Sequence, residues 1–244
     1  MTKLALLHGW DNANYTSQCP GMTDPWRNRR KFVDALEKEY EVKVITFPGF
    51  CGAEEPKNPW TLDDFASFVR DNLESFKPDF MLGYSFGAAV ALNYKLKFDL
   101  NQKLILISPA ICRRYREQTK KQKIISSVSG AVPKFAKDLL RDFYLSRVIG
   151  NPFYAQGTKF LKKSYLGIVG IDLSDNLSDA NLNDLCFIFG EKDTATPPEL
   201  LIEKKPSAKG CIHVLKGGTH DIANTNTDDI LAIIRDFVKT KERQ

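Results

Sequence analysis

The stretch that most limits what this chain can become runs from Asp79 to Ala91, DFMLGYSFGAAVA. A short apolar run ends in Gly83-Tyr84-Ser85-Phe86-Gly87, and small residues follow. A G-x-S-x-G segment set between a strand and a helix makes a turn so sharp that the serine is held at a strained backbone angle with its hydroxyl thrust outward. A side chain at Gly83 or Gly87 would collide with the neighbouring strand or helix, and Ala88, Ala89 and Ala91 let that helix lie close on a sheet. Five residues of this kind are common by chance, and the serine in them is often an ordinary turn residue. The strand before and the helix after are what mark Ser85 as a nucleophile.

Similar apolar runs recur along the chain at Lys3 to Leu7, Val42 to Phe47, Phe80 to Leu82, Leu104 to Ile107, Leu185 to Phe189 and Cys211 to Leu215, mostly with helical segments between them. Alternation of this kind predicts an α/β fold, a parallel sheet covered by helices on both faces. Asp24-Pro25 predicts a helix start running to about Glu39, Thr61 with Asp64 a capping-box start, and Thr225 with Asp228 the start of the last helix. The apolar stripe of that last helix, Ile230, Ile233, Ile234 and Phe237, reads as core.

Five short blocks then fall in a telling order: His8-Gly9 after the first strand, Phe47-Pro48-Gly49-Phe50 after the second, the serine turn after the third, Gly190-Glu191-Lys192-Asp193 after the strand at Leu185, and Gly218-Thr219-His220 after the last. In this order they resemble an α/β-hydrolase-fold serine hydrolase of the carboxylesterase kind over essentially the whole chain. Members usually open with an antiparallel hairpin, whereas here the His-Gly strand begins at residue 3. The resemblance therefore implies a reduced, six-stranded parallel sheet flanked by helices, with residues 1–111 and 180–244 as its body.

Ser85 needs a base, and three histidines are available. His8 belongs to the loop that follows the first strand, and His213 sits inside the last strand's run, where burial is expected. His220, in the loop beyond that strand, is the base by position and by elimination. Asp193 follows the fifth strand, and the order Ser85, Asp193, His220 is that of the resembling fold. Glu191 and Asp221 are its rivals as the orienting acid, read instead as solvated. The resemblance also implies an oxyanion hole from the backbone N–H groups of Trp10 and Phe86, with the Trp10 ring as an aromatic wall. His8, Gly9, Tyr84 and Phe143 are candidate substrate-binding residues. The Asn, Ser and Gly content of the loop from Asp11 to Thr23 suggests mobility.

Between the fourth and fifth strands lies more chain than one crossover helix needs, so residues 112–179 are expected to form a helical cap, with an apolar face between Pro133 and Ile149. From Cys112 to Tyr165 there are 13 Lys or Arg against Glu117, Asp138 and Asp142, a net of +10, while the whole chain carries only +5. Basic cap helices can simply be solvated; the functional alternative is attraction of an anionic small-molecule ester, an acyl group on an acidic carrier protein, or a phospholipid surface. Together with His8-Gly9-Trp10, the basic cap is similar to that of carboxylesterases acting on carrier-linked acyl methyl esters.

Other classes fit poorly. Neither G-x-G-x-x-G nor a Walker loop is present, the histidines lack metal-ligand spacing, and no nucleic-acid motif accompanies the basic segment, so no cofactor, metal or nucleic acid is expected. Five cysteines without C-x-x-C spacing suit reduced thiols in a cytoplasmic protein. No segment approaches the length of a membrane span, and the apolar run at the N-terminus is too short for a signal peptide core. The reading is a cofactor-free hydrolase of a carboxylic ester or thioester with a small to medium acyl group. Its alternatives are another triad reaction, such as an amidase, a C–C hydrolase or a carrier-protein acyl esterase, and a binding protein without turnover.

Overall fold

The computed structural model describes residues 1–99, 101–113, 144–148, 151–178 and 182–243. Phe143, Arg114, Arg116 and the apolar segment 133–143 of the expected cap lie outside them.

Six strands, β1 (Lys3–Leu7), β2 (Glu41–Ile45), β3 (Phe80–Tyr84), β4 (Lys103–Ile107), β5 (Leu185–Gly190) and β6 (Ile212–Leu215), form one sheet in the order β2-β1-β3-β4-β5-β6. Every pairing is parallel. Side chains alternate between the two faces of a strand, so each run splits into two sets. Ala5, Leu7, Met81, Leu104, Leu106, Phe187 and Phe189 pack on one face with Phe65 and Val69 of α2 (Leu62–Leu73) and Ala88, Ala89, Val90, Ala91 and Leu92 of α3 (Phe86–Phe98). Leu4, Leu6, Phe80, Leu82, Ile105, Ile107 and Ile188 pack on the other with Phe32, Val33 and Leu36 of α1 (Arg30–Glu37). Ile230, Ile234 and Val238 of the C-terminal helix (Thr227–Glu242) complete that second core. Burial on both faces is why the strands read as continuous apolar runs.

Three local expectations are corrected. Asp24 accepts the Trp26 N–H at 2.8 Å and closes a turn, and the helix begins only at Arg30, after a 3₁₀ turn over Arg27–Arg29. The delay follows from tertiary contacts, because Trp26 is buried and Arg29 turns toward Tyr84 and Asp221. Thr225 ends a single helical turn instead of capping the last helix, its hydroxyl reaching Asn226 Oδ1 at 2.8 Å. His213 is exposed, because β6 is the edge strand and its middle faces solvent. The capping box at Thr61 forms as the sequence predicts, Thr61 Oγ1 accepting the Asp64 N–H at 3.2 Å and Asp64 Oδ2 the Thr61 N–H at 2.7 Å.

The loop after β1 is anchored, contrary to its composition. Tyr15 and Asn14 are buried, Asn14 Nδ2 donates to Pro25 O at 2.6 Å, and Tyr15 bridges to Phe50. Buried Cys19 lies 3.9 Å from Cys51 as a free thiol, and burial pushes Cys51 up to about 12.

At the junction of β3 and α3, close approach decides the sequence. A Cβ on Gly83 would come within 2.5 Å of Ala88 Cα, and one on Gly87 would overlap the Leu7 carbonyl of β1. Both obstacles are backbone, so neither can step aside. We expect Gly87→Ala to cost about 2 kcal/mol or more, and Thr61→Ala, which removes only a cap, about 1 kcal/mol. Urea unfolding of the two variants beside the parent checks the ranking; a Gly87→Ala protein as stable as Thr61→Ala contradicts it.

Candidate active site

In a parallel sheet, loops from neighbouring strands separate where the strand order reverses. Here that place lies between β1, whose chain leaves toward β2, and β3, whose chain leaves toward β4. The loop carrying Gly9 and Trp10 and the turn carrying Ser85 diverge there and open a crevice above the strand ends.

Ser85 has φ 52° and ψ −110°, a conformation in the sparsely populated positive-φ region for a residue with a side chain. Such strain costs on the order of 1–3 kcal/mol and persists only where the surroundings impose it. They do so here: Ser85 N–H donates to Ile107 O at 2.9 Å, and Ser85 O accepts from Ala88, Ala89 and Ala110. The hydroxyl is left facing the crevice, 3.1 Å from His220 Nε2.

His220 Nδ1 lies 2.8 Å from Asp193 Oδ2. Because a carboxylate can only accept, Nδ1 carries the proton, and Nε2 presents its lone pair to the serine hydroxyl. Asp193 is 2 % exposed. Burial pushes its pKa up, but bonds from His220 and from Thr196 N–H and Oγ1 outweigh this and hold it below the ordinary carboxylate range. Oδ1 accepts Ala195 N–H at 2.9 Å and Thr196 N–H at 2.8 Å, and Oδ2 accepts Thr196 Oγ1 at 2.7 Å. Glu191 is exposed and caps Gly217 N–H at 2.7 Å, while Asp221 pairs with Arg29 at 2.7 Å, so neither rival acid is hydrogen-bonded to the His220 ring.

Tyr84 and His8 border the crevice with their polar atoms already engaged. Tyr84 Oη donates to the His220 carbonyl at 2.6 Å, with the Arg29 guanidinium 4.3 Å above its ring, and Ser108 Oγ reaches the same carbonyl at 3.1 Å. Buried His8 Nε2 accepts the Phe47 N–H at 3.0 Å, so Nδ1 is the protonated nitrogen and donates to Gly9 O at 2.8 Å. The chain after β1 is thereby tied to the chain after β2.

Trp10 is wedged among Phe50, Phe86 and Tyr165, with ring centroids at 5.3, 4.9 and 5.7 Å. Its Nε1 donates to Tyr15 Oη at 2.6 Å, and Tyr15 Oη donates on to Phe153 O at 2.6 Å. The backbone N–H groups of Trp10 and Phe86 have no hydrogen-bond partner among the described residues. A cavity of about 510 Å³ opens above Ser85, with Gly9, Trp10, Phe153, Tyr165 and Ile168 among its walls. Tyr165 and Ile168 come from a helix over Lys159–Ile168 whose Phe160 and Leu161 pack into the core.

Sequence reasoning missed Thr196, Ser108 and Arg29. Thr196 stands three residues after Asp193, the spacing at which an aspartate side chain closes a turn on following N–H groups, and that was the available signal. Nothing local marks Ser108 or Arg29, which act across sequence distance.

Over residues 4–232 the sequence matches the alpha/beta hydrolase family. The chain belongs to that family. No curated protein matches it. Solved structures similar to this member include a carboxylesterase of the ammonia-oxidizing thaumarchaeon Nitrososphaera gargenis, at 16 % identity and TM-score 0.64, covering 99 % of this chain and 91 % of that one. A thermophilic esterase from Thermogutta terrifontis with malate bound is similar at 17 % identity and TM-score 0.63, over 98 % of this chain and 90 % of its own. A meta-cleavage product hydrolase from Pseudomonas fluorescens matches at 17 % identity and TM-score 0.62, over 99 % and 92 %. At such identities these likenesses establish the fold. Among the described residues of this hydrolase-family chain, no helix is long and apolar enough to cross a membrane and no cluster of side chains is arranged to hold a metal ion.

Burial of His8 depresses its pKa from 6.5 to about 4, against the opposing bond to Gly9 O. A depressed histidine leaves stability intact above pH 6.5 and drains it as pH falls toward 4, because only the unfolded chain takes up the proton. The loss from this one group is about 3 kcal/mol. Urea unfolding at pH 7 and pH 4.5 should show a steeper fall in the parent than in His8→Asn; parallel slopes would place the buried ring's protonation elsewhere.

Proposed function

We propose that this member of the family is a serine hydrolase of carboxylic esters or thioesters with a small to medium acyl group. One observation carries the reading: a strained serine hydroxyl, a histidine of defined tautomer and a buried, fully hydrogen-bonded carboxylate stand in line at the floor of a largely apolar cavity.

The reaction follows from these groups. Ser85 Oγ attacks the ester carbonyl carbon as its proton passes to His220 Nε2, and the carbonyl electrons move onto oxygen. Trp10 and Phe86 N–H groups receive that oxyanion; they are fixed before the reaction, so no reorganisation is needed when charge develops. Collapse of the intermediate expels the alcohol or thiol, which takes the proton from His220. Water then gives a proton to the same nitrogen, its oxygen attacks the acyl-serine, and the acid leaves as Ser85 recovers its hydrogen. Asp193 stays ionised throughout and stabilises the imidazolium, a task suited to a carboxylate whose pKa is already held down. Five free thiols support a reducing, cytoplasmic setting.

Ser85→Ala removes one exposed oxygen and should abolish fluorophosphonate labelling and lower p-nitrophenyl ester turnover by at least about a thousandfold with the fold intact. Asp193→Asn should fold yet lose about 10⁴ in kcat, since the amide favours the wrong tautomer of His220. A parent protein that is folded, unlabelled and inert toward esters of every chain length would support a binding role instead.

A further inference from the structure

Arg113 follows the end of β4 and lines the cavity that contains Ser85. Its Nε donates to Val169 O at 2.6 Å and its Nη1 to Cys112 O at 3.0 Å, which fixes the half-buried guanidinium between two segments of chain. Among the described residues Nη2 has no partner and no carboxylate lies within ion-pair distance of the guanidinium. The acid that acts on it, Asp172, is engaged elsewhere: it accepts the Arg113 backbone N–H at 2.7 Å, Ser174 N–H at 2.9 Å and the Lys204 ammonium. Arg29, the other arginine on the cavity wall, is by contrast paired with Asp221 at 2.7 Å.

A cation held in a partly dehydrated wall, whose nearest described acid is committed to other donors, is stabilised by an anion that enters, and the planar N–H fork of arginine matches a carboxylate. Burial pulls the Arg113 pKa down, with Asp172 opposing. Tyr165, Ile168 and Val169 border the same part of the cavity and offer an apolar track for a short methylene chain.

We propose that Arg113 is a carboxylate-binding residue and that the substrate is a half-ester of a dicarboxylic acid, an ester that retains one free carboxylate. The assignment rests on the ester-hydrolase reading above. Hydrolysis would consume one water and yield the dicarboxylate and an alcohol, so the class of reaction that supplies the substrate is mono-esterification of a diacid or opening of its anhydride or thioester by an alcohol.

The test compares mono-p-nitrophenyl adipate with p-nitrophenyl hexanoate, which has the same chain length and a methyl group in place of the carboxylate. The parent should favour the adipate ester in kcat/KM, and Arg113→Met should lower the adipate-to-hexanoate ratio about tenfold or more, chiefly through KM. Arg113→Lys, which keeps the charge without the fork, should recover part of the ratio. Calorimetry with adipate on Ser85→Ala gives a readout free of turnover: binding should be present, and lost in the Ser85→Ala/Arg113→Met double variant. An unchanged ratio together with adipate binding that is absent, or indifferent to Arg113, overturns the proposal. Adipate binding that depends on Arg113 in a parent inert to both esters leaves the carboxylate site standing and sinks the esterase reading.

Discussion

The constraint on which the rest depends is the approach of α3 to the sheet. The first turn of that helix comes down so closely on β1 and β3 that only hydrogen fits at Gly83 and Gly87. This approach accompanies the φ of 52° at Ser85, and it directs the helix N-terminus, with its Phe86 N–H unpaired among the described residues, at the crevice. Backbone strain, exposure of the Ser85 hydroxyl and an oriented N–H are three consequences of one packing distance. The energy stored in the turn is small beside the apolar burial of α3, whose alanines and Leu92 lie in the core.

Around that turn, Asp193 and His8 are buried with hydrogen-bond partners in place of water, whereas Trp26 Nε1 and Arg29 Nε are buried without one among the described residues. Asp193 loses water and gains Ala195, Thr196 and His220 in its place, and the bonds win over desolvation. His8 loses water and gains two backbone partners, yet no charge that would favour protonation strongly enough, so it stays neutral. The same burial therefore produces an anion in one place and a neutral ring in the other. Both outcomes serve geometry: one holds the His220 ring, the other ties the chain after β1 to the chain after β2.

The cavity's polarity is set by contributions from distant parts of the chain. Trp10 and its hydrogen-bonded neighbour Tyr15 make a rigid wall, with Tyr15 reaching Phe153. Arg29 is paired with Asp221 and braces Tyr84, whereas Arg113 has no carboxylate at ion-pair distance from its guanidinium among the described residues. Two arginines on one cavity wall thus have different chemistry, and the difference lies in which acids each can reach.

Sequence alone determined the parallel sheet, its six strands, the elbow at Ser85 and the capping box at Thr61, because continuous apolar runs, a glycine-flanked serine between strand and helix, and a side-chain-to-backbone cap are all patterns among residues near in sequence. It also singled out Ser85, Asp193 and His220, since the ends of parallel strands all come to one edge of the sheet. Tertiary structure decided the rest. The delayed start of α1 follows from Trp26 and Arg29 finding partners on β3 and beyond; the anchored loop after β1 follows from Tyr15 meeting Phe50; the exposure of His213 follows from β6 lying at the edge. Strand order, the support of the His220 carbonyl by Tyr84 and Ser108, and the unequal charge states of the Arg29 and Arg113 surroundings depend on contacts between residues far apart in the chain, whose energies no local pattern encodes.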